Sequence, residues 1–206
     1  MKKQITISSK NRKIVGANIF NLPVGTTCKP GVLCSKFCYS KKAEKVYPEV
    51  RPSRMRNYRA SKKDDFSEKM ISLLGKSKLN VTRIHEGGDF YSTEYIRKWY
   101  NIAKALPDHT FYAYTKRDDL FSMEILAEKP PNLKLIFSVD GIIPEDITSR
   151  DYNVAARFQG YDKIAIVRES THTCPSTSKD KWKVACIKDC KLCIDNTTTV
   201  VEFAKH

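Results

Sequence analysis

The chain has 206 residues and a formal net charge of +14, which suits one main domain and is shorter than the roughly 250 residues of a complete eight-unit barrel. No run approaches the ~18 apolar residues of a membrane span, and the first residues lack the apolar stretch of a secretory signal. We therefore expect a cytoplasmic protein without a membrane contact. The excess of Lys and Arg is interpreted as solvated surface charge, with contact to a nucleic acid or a phosphorylated ligand as the alternative.

Short apolar runs alternate with segments of helical period along the first 170 residues. The helical segments begin at Phe66 and end before Gly75, begin at Ser92 or Thr93 and stop at Pro107, and cover residues 120–127. The runs predict strands at residues 13–20, 81–85, 110–114, 133–139 and 163–167. A further run at 198–203 is read either as a last strand or as a tail. This alternation is typical of βα units around a parallel sheet.

The order of these units predicts an α/β protein that forms a partial (β/α) TIM-like barrel with parallel strands over residues 1–170. Residues 171–206 are predicted to form a Cys-rich metal-binding module packed on the barrel. In such sheets the functional site lies where the strands end at their carboxyl side. Polar and metal-binding residues follow several predicted strands, so we expect them to meet at one rim.

The first cysteine group is Cys28, Cys34 and Cys38, in a loop that also contains Lys, Pro, Gly and Ser. A [4Fe-4S] cluster normally takes four cysteines, so three thiolates leave one iron for a substrate, a cofactor or a distant ligand. The alternative is a set of buried thiols without a metal. The flanking polar residues favour the metal.

The second cysteine group is Cys174, Cys186, Cys190 and Cys193, and it ends in a Cys-x-x-Cys pair. Four sulfur ligands suit either zinc or an iron–sulfur cluster. Three interpretations follow from the spacing. The group holds a structural zinc, holds a second cluster, or lends one thiol to the first cluster.

Three further segments follow predicted strands. Gly87, Gly88 and Asp89 are predicted to bind a cofactor, with a simple turn that needs positive φ as the alternative. The candidate catalytic residues are acids, bases or anion-binding groups, and each has a structural alternative: a core histidine, a surface cation or a turn cap. They are His85, Asp89, Arg117 and Asp140.

Several segments together resemble the phage and bacterial gene product 88 family, and the resemblance covers most of the chain. They are Phe20-Asn-Leu-Pro23, Cys28-x5-Cys34-x3-Cys38-Tyr39, Tyr47-Pro48, Arg83-Ile-His-Glu-Gly-Gly-Asp-Phe90 and Ser138-Val-Asp140. That family is similar to radical S-adenosylmethionine enzymes. The resemblance implies a [4Fe-4S] cluster beside Phe37-Cys38, contact of Gly87–Asp89 with the amino group of S-adenosylmethionine, and a location in the host cytoplasm if the chain is phage-encoded.

Three functional hypotheses follow. The chain is a radical S-adenosylmethionine-like enzyme, a non-catalytic redox or electron-transfer iron–sulfur protein, or a zinc-braced basic protein that binds nucleic acid. The first predicts a cluster that is open at one iron. The second predicts a closed cluster, and the third predicts zinc and a binding affinity that falls steeply with salt.

Overall fold

The computed structural model of the chain describes residues 5–9, 11, 14–29, 32–142, 161–168, 174, 186–195 and 200–204. The described strands form one seven-stranded sheet whose order follows the chain. The first pair is antiparallel, and every later pair is parallel. The strands are β1 (Ile7–Ser8), β2 (Asn18–Phe20), β3 (Val81–Ile84), β4 (Thr110–Thr115), β5 (Leu133–Ile142), β6 (Lys163–Arg168) and β7 (Val200–Ala204).

Helices fill most of the connections between β2 and β5. They are α1 (Val32–Phe37), α2 (Tyr39–Val46), α3 (Val50–Ser61), α4 (Phe66–Gly75), α5 (Thr93–Ala105) and α6 (Met123–Ala127). The predicted cap of α5 is confirmed, since the Ser92 hydroxyl accepts a hydrogen bond from the Tyr95 N–H at 3.2 Å. Ser122 caps α6 in the same way, through the Ile125 N–H at 3.3 Å. Both caps satisfy N–H groups that a helix start leaves free.

One face of the sheet packs against the helices. Its centre is Trp99 of α5, whose ring meets Phe20, Phe66 and Phe111 edge-on at centroid distances of 5.4, 5.9 and 6.3 Å. Alternate strand residues supply the rest of this face, as the two-residue period of a strand requires. This helix-side core is the larger of the hydrophobic clusters among the described residues.

The opposite face of the sheet is covered by other segments. Ile19, Tyr112, Ile136 and Ala165 point to this side and form a second core. Ile14 and Ala17 pack there, and so do three residues of the late cysteine segment. They are Ile187, Cys193 and Ile194.

The predicted α/β class with a mostly parallel sheet is confirmed. The five predicted strands correspond to β2 through β6, and the open question about residues 198–203 is settled in favour of a strand, because β7 pairs in parallel with β6. The sheet therefore takes its last strand from the segment after residue 170. The two-residue strand β1 and the helices α1 to α3 are additions to the prediction. Asn57 holds Thr6 in place. Its side-chain oxygen accepts a hydrogen bond from the Thr6 N–H at 2.8 Å, and its side-chain nitrogen donates to the Thr6 carbonyl at 2.9 Å.

Candidate functional site

The end of β2 and the loop after β3 are tied together by Asn21. Its side-chain oxygen accepts hydrogen bonds from the backbone N–H groups of Glu86 and Gly87 at 2.7 and 2.9 Å. The Leu22 N–H donates in return to the Gly87 carbonyl at 2.9 Å. Two segments that lie about sixty residues apart in sequence thus form one unit at the carboxyl ends of β2 and β3.

Asp89 is the centre of this rim. Its carboxylate accepts hydrogen bonds from the Thr115 hydroxyl at 2.8 Å, the Phe90 N–H at 2.7 Å and the Lys116 N–H at 3.0 Å. Burial raises the pKa of Asp89 to about 6, although these hydrogen bonds act in the opposite direction. The Asp89 N–H donates to the buried Thr27 hydroxyl at 3.2 Å, next to the first cysteine.

The rim continues across β4 to β5. The Lys116 ammonium donates to the Ser138 hydroxyl at 2.7 Å and to the Ser138 carbonyl at 3.2 Å. Arg117 donates to the Phe90 carbonyl at 3.0 Å, and two more of its nitrogens donate to the Asp119 carboxylate. Hydrogen bonds therefore connect Asp89, which follows β3, with Lys116, which follows β4, and Lys116 with Ser138, which lies within β5 rather than after it as the sequence predicted. Asp140 lies within β5, and its side chain lies outside the described residues.

Packing inside the protein accounts for both glycines of the loop. A Cβ at Gly87 would collide with the Ser40 hydroxyl and come within 2.8 Å of the Arg54 guanidinium carbon. Gly88 has φ +86°, and a Cβ there would lie 2.6 Å from Leu22 Cβ. These contacts match the structural alternative for the glycine pair, and cofactor contact at Gly87 and Gly88 stays a prediction.

His85 lies in the helix-side core, which is the structural alternative predicted for it, and not at the rim. Its φ of +63° lies in the left-handed region, and its side chain is buried. The ring Nε2 is 2.9 Å from the Tyr95 hydroxyl, and the ring packs against Phe90. Burial, aided by the Arg83 charge, lowers the pKa of His85 to about 3, so the ring is neutral. A catalytic role for it stays a prediction that this burial does not favour.

The first cysteine group extends from β2 along the rim. Cys38 caps α2, and its sulfur accepts a hydrogen bond from the Lys41 N–H at 3.3 Å. The next residue, Tyr39, donates its hydroxyl to the Glu86 carbonyl at 2.7 Å, which joins α2 to the glycine loop. The helix that carries Cys34, α1, lies against β5. The segment thus spans the strand ends from β2 to β5.

The thiols of the first group act on one another. Burial raises the pKa of Cys28, a backbone hydrogen bond from Gly25 opposes this, and the nearby charges of Asp89, Cys34 and Cys38 raise it further. A cation placed among such thiols would relieve this repulsion between negative charges.

The late group forms a separate set on the opposite face of the sheet. Burial raises the pKa of Cys186 to about 11, and Cys193, Cys174 and Cys190 raise it as well. Cys186–Cys190 form one turn of π-helix, a type of turn that is frequent at functional sites. The Cys193 sulfur lies 2.8 Å from the Tyr114 hydroxyl of β4.

An ion pair between a buried lysine and a partly exposed aspartate holds the late group against the sheet. The ammonium of Lys163, at the start of β6, donates to Asp195 at 2.9 Å. Lys163 is 1% exposed, although lysine is a residue that proteins seldom bury unpaired. Because Asp195 lies two residues after Cys193, this pair fixes the end of the cysteine segment.

Arg83 lies between the two sulfur groups. Its guanidinium carbon is 4.8 Å from the Tyr114 ring centre and 5.7 Å from that of Tyr112, distances at which a cation and an aromatic face attract. It also interacts electrostatically with Tyr39 and Cys193. Arg83 belongs to a segment that carries the family resemblance, but it was assigned no role from the sequence. The signal was a cation at a position whose neighbour on β4, Tyr112, is aromatic.

The spacing of the donors limits what they can hold. In the part of the chain that the structure describes, no three His, Cys, Asp or Glu side chains converge closely enough to bind a single metal ion. All seven cysteines belong to that part, and none of them forms a disulfide bond there.

Comparison with known proteins adds a family to this geometry. The family model described as Gene product 88 matches residues 1–200. This chain belongs to the Gene product 88 family. The resemblance in the cysteine loop, the glycine loop and the end of β5 is thereby confirmed at the level of the family.

Two relatives are phage proteins. The Gene 88 protein of Mycobacterium phage L5 is 27% identical over 212 residues, which cover 90% of this chain and 86% of that protein. The Gene 88 protein of Mycobacterium phage D29 is 31% identical over 139 residues, which cover 60% of this chain and 57% of that protein. No solved structure matches the chain. No helix within the described residues is long and apolar enough to cross a membrane.

Proposed function

We propose that this Gene product 88 protein binds a [4Fe-4S] cluster through Cys28, Cys34 and Cys38, at the carboxyl ends of its parallel strands. The observation that carries the proposal is the division of the thiols into a group of three and a group of four. The charges that act on Cys28 come from its own group and Asp89, whereas those that act on Cys186 come from the late cysteines and Arg83.

The order of the strands supports a partial (β/α) barrel as the frame. In a doubly wound sheet the strand order reverses and helices cover both faces, whereas in a barrel the strands follow chain order with helices on the outside. Here β2 to β7 follow chain order, and α4, α5 and α6 contribute to the core on one face. The proposed cluster then occupies the end of the barrel where active sites of this architecture lie.

A cluster and a single zinc ion place different demands on the thiols of the first group. The sulfurs around one zinc each lie about 2.3 Å from it, so they must converge on one point. A four-iron cluster takes one thiolate for each iron, so its ligands stand farther apart. We favour the cluster for the first group, because its three thiolates can each bind one of the irons.

Three ligands leave one iron open, and this favours an enzyme over an electron carrier. A carrier with a closed cluster needs a fourth thiolate, and the late cysteines lie on the opposite face with contacts of their own. The fitting cofactor is S-adenosylmethionine, which in radical enzymes binds the open iron and supplies the reactive group. Asp89, Gly87 and Gly88 contact other parts of the protein, so we assign them the role of holding the loop in place. The late group is a second metal site, for zinc or for a second cluster.

The test compares Cys34→Ala with Ser35→Ala, an exposed neighbour on the same helix. Both proteins are purified without oxygen, and iron and sulfide are measured. We expect Cys34→Ala to lose about four irons per chain and Ser35→Ala to keep them. Full iron content and an unchanged absorption spectrum in Cys34→Ala would show that the first group does not hold the cluster.

A second measurement separates the enzyme from the carrier. S-adenosylmethionine is added to the reduced protein, and the electron paramagnetic resonance spectrum of the cluster is recorded. An open iron predicts a changed spectrum, because the cofactor becomes a ligand of that iron. An unchanged spectrum at saturating cofactor would favour the electron carrier.

A further inference from the structure

The positive charge of the chain is concentrated in one short segment. Residues 29–63 contain eleven Lys and Arg and two Glu, a net charge of +9, whereas the other 171 residues carry +5 between them. This segment includes α1, α2 and α3. This segment, which contains Cys34 and Cys38, therefore carries most of the net positive charge and would attract a polyanion.

Most of these cations face solvent. Of the two acids, Glu44 has a side chain that is 6% exposed, and it binds Arg54 at 3.0 Å and Arg51 at 2.8 Å, so that it joins α2 to α3. Glu49 is the other acid of the segment, and it is exposed. We define the basic surface as the exposed cations of α2 and α3 together with Tyr39 and Tyr47. The cations are Lys41, Lys42, Lys45, Arg51 and Arg59.

A shallow groove of about 460 Å³ runs along α3. Its lining combines guanidinium groups with apolar atoms, and it consists of Arg51, Pro52, Met55, Arg56 and Arg59. Among the described residues the buried Nε of Arg56 has no hydrogen-bond partner. Guanidinium groups bind phosphate oxygens in a paired geometry. A phosphate backbone along this groove would therefore accept hydrogen bonds from the arginines that line it.

Two exposed aromatic rings stand among the lysines of α2. Tyr39 and Tyr47 are each 60% exposed, and Val46 beside them is 55% exposed. Rings that alternate with cations are the arrangement on which the bases of a single strand stack while its phosphates meet the charges. A duplex keeps its bases stacked on one another and would leave such rings without a partner.

We infer that the basic surface of α2 and α3 binds single-stranded nucleic acid. A strand bound there would pass the first cysteine group, because Cys38 caps α2 and α2 meets α3 through Glu44. The inference needs no metal in the protein, so it stands or falls independently of the proposed cluster.

The test measures fluorescence anisotropy of a labelled oligothymidylate as a function of salt. The first variant carries Lys41→Glu, Lys42→Glu and Lys45→Glu. The matched control carries Lys76→Glu, Lys78→Glu and Lys104→Glu, which change the same charge at three exposed lysines beyond α4 and in the last turn of α5. We expect the first variant to bind at least about tenfold more weakly and its salt slope to fall by about 2, since each lost contact to a single strand removes about 0.7. The control should bind within about twofold of the unmodified protein.

A second pair of variants tests the stacking. Tyr47→Ala should weaken binding at least about fivefold, whereas Tyr47→Phe keeps the ring and should bind as the unmodified protein does. Three results would overturn the inference: equal weakening in the two charge variants, equal binding of a duplex of the same length, or no binding of the single strand at low salt. Iron content of the same variants is recorded, so that loss of a cluster is not mistaken for loss of the surface.

Discussion

The first cysteine group stands at the carboxyl ends of the strands, among lysines and backbone hydrogen bonds that join β2, β3 and β4. The late group stands under the opposite face of the sheet, against Tyr114, Ile187 and Ile194, and an ion pair holds it there. The two groups contain the same kind of ligand in different surroundings. A rim with polar neighbours suits binding and chemistry, whereas a packed and braced segment suits structure.

The largest effect expected at the rim comes from Gly88→Ala. The change forces a side chain into the left-handed region at φ +86° and brings its Cβ within 2.6 Å of Leu22 Cβ and 2.9 Å of the Leu22 carbonyl. Strain and overpacking together should cost about 3–5 kcal/mol. Urea unfolding measures the loss, and Gly75→Ala is the control, since a Cβ there has open space. Equal stability of the two variants would mean that the rim is loosely packed.

The next effect concerns the pH dependence of the rim. The pKa of Asp89 is raised by burial from 3.8 to about 6, so the folded protein holds this proton more tightly than the unfolded chain does. The contribution of Asp89 to the free energy of unfolding is therefore full below pH 4. About 3 kcal/mol of it is lost as the pH rises to about 6.

Asp89→Asn removes this titration, and its hydrogen bonds to the Thr115 hydroxyl and Phe90 N–H can persist through the amide oxygen. Unfolding free energies of both proteins are measured from pH 4 to pH 7. The unmodified protein should lose about 3 kcal/mol relative to the variant over this range. A difference that does not change with pH would show that Asp89 titrates in an ordinary way.

A smaller effect should appear at the late group when Lys163 is replaced. Lys163→Ala leaves Asp195 without its buried cation, and because Asp195 is partly exposed we expect a cost of about 2 kcal/mol. The exposed pair of Lys69 and Asp65 provides the control, since Lys69→Ala should change the free energy of unfolding by about 0.5 kcal/mol or less. If the two variants are equally stable, the late group is not braced by this pair.

The smallest expected effect is that of Tyr114→Phe. The change removes the hydroxyl that lies 2.8 Å from the Cys193 sulfur, at a cost of about 1 kcal/mol. Hydrogen bonds to ligand sulfurs also tune a cluster. A shift of a reduction potential in this variant would assign a cluster to the late group, whereas unchanged redox behaviour with bound zinc would make the group a structural brace.

Much of the frame could be predicted from the sequence, because it follows periodic patterns. Phe66, Met70, Leu73 and Leu74 fall at helical spacing, and all of them except Leu73, which is 41% exposed, are buried in α4. The rim could also be predicted, since a parallel sheet brings the ends of its strands together. Asp89, Lys116 and Ser138 are joined there by hydrogen bonds.

The links between distant segments could not be predicted in the same way. Asn21, Thr27 and Asn57 hold backbone groups that lie 36 to 66 residues away, and a single side chain of this kind leaves no period in the sequence. The sequence allowed His85 either at the rim or in the core, and its left-handed backbone carries the ring into the aromatic core. The positions of the first cysteine group at the rim and of the late group on the opposite face depend on the topology of the sheet, which no local pattern in the sequence predicts.

The most direct test of the proposed cluster is the content of iron, acid-labile sulfide and zinc, with a visible spectrum, in the full chain purified without oxygen. The cluster predicts iron and sulfide in equal amounts, at least about four of each per chain, and a broad absorption band near roughly 400 nm. Zinc alone in a colourless protein would contradict the cluster. It would leave a zinc-braced basic protein whose function rests on the surface of α2 and α3.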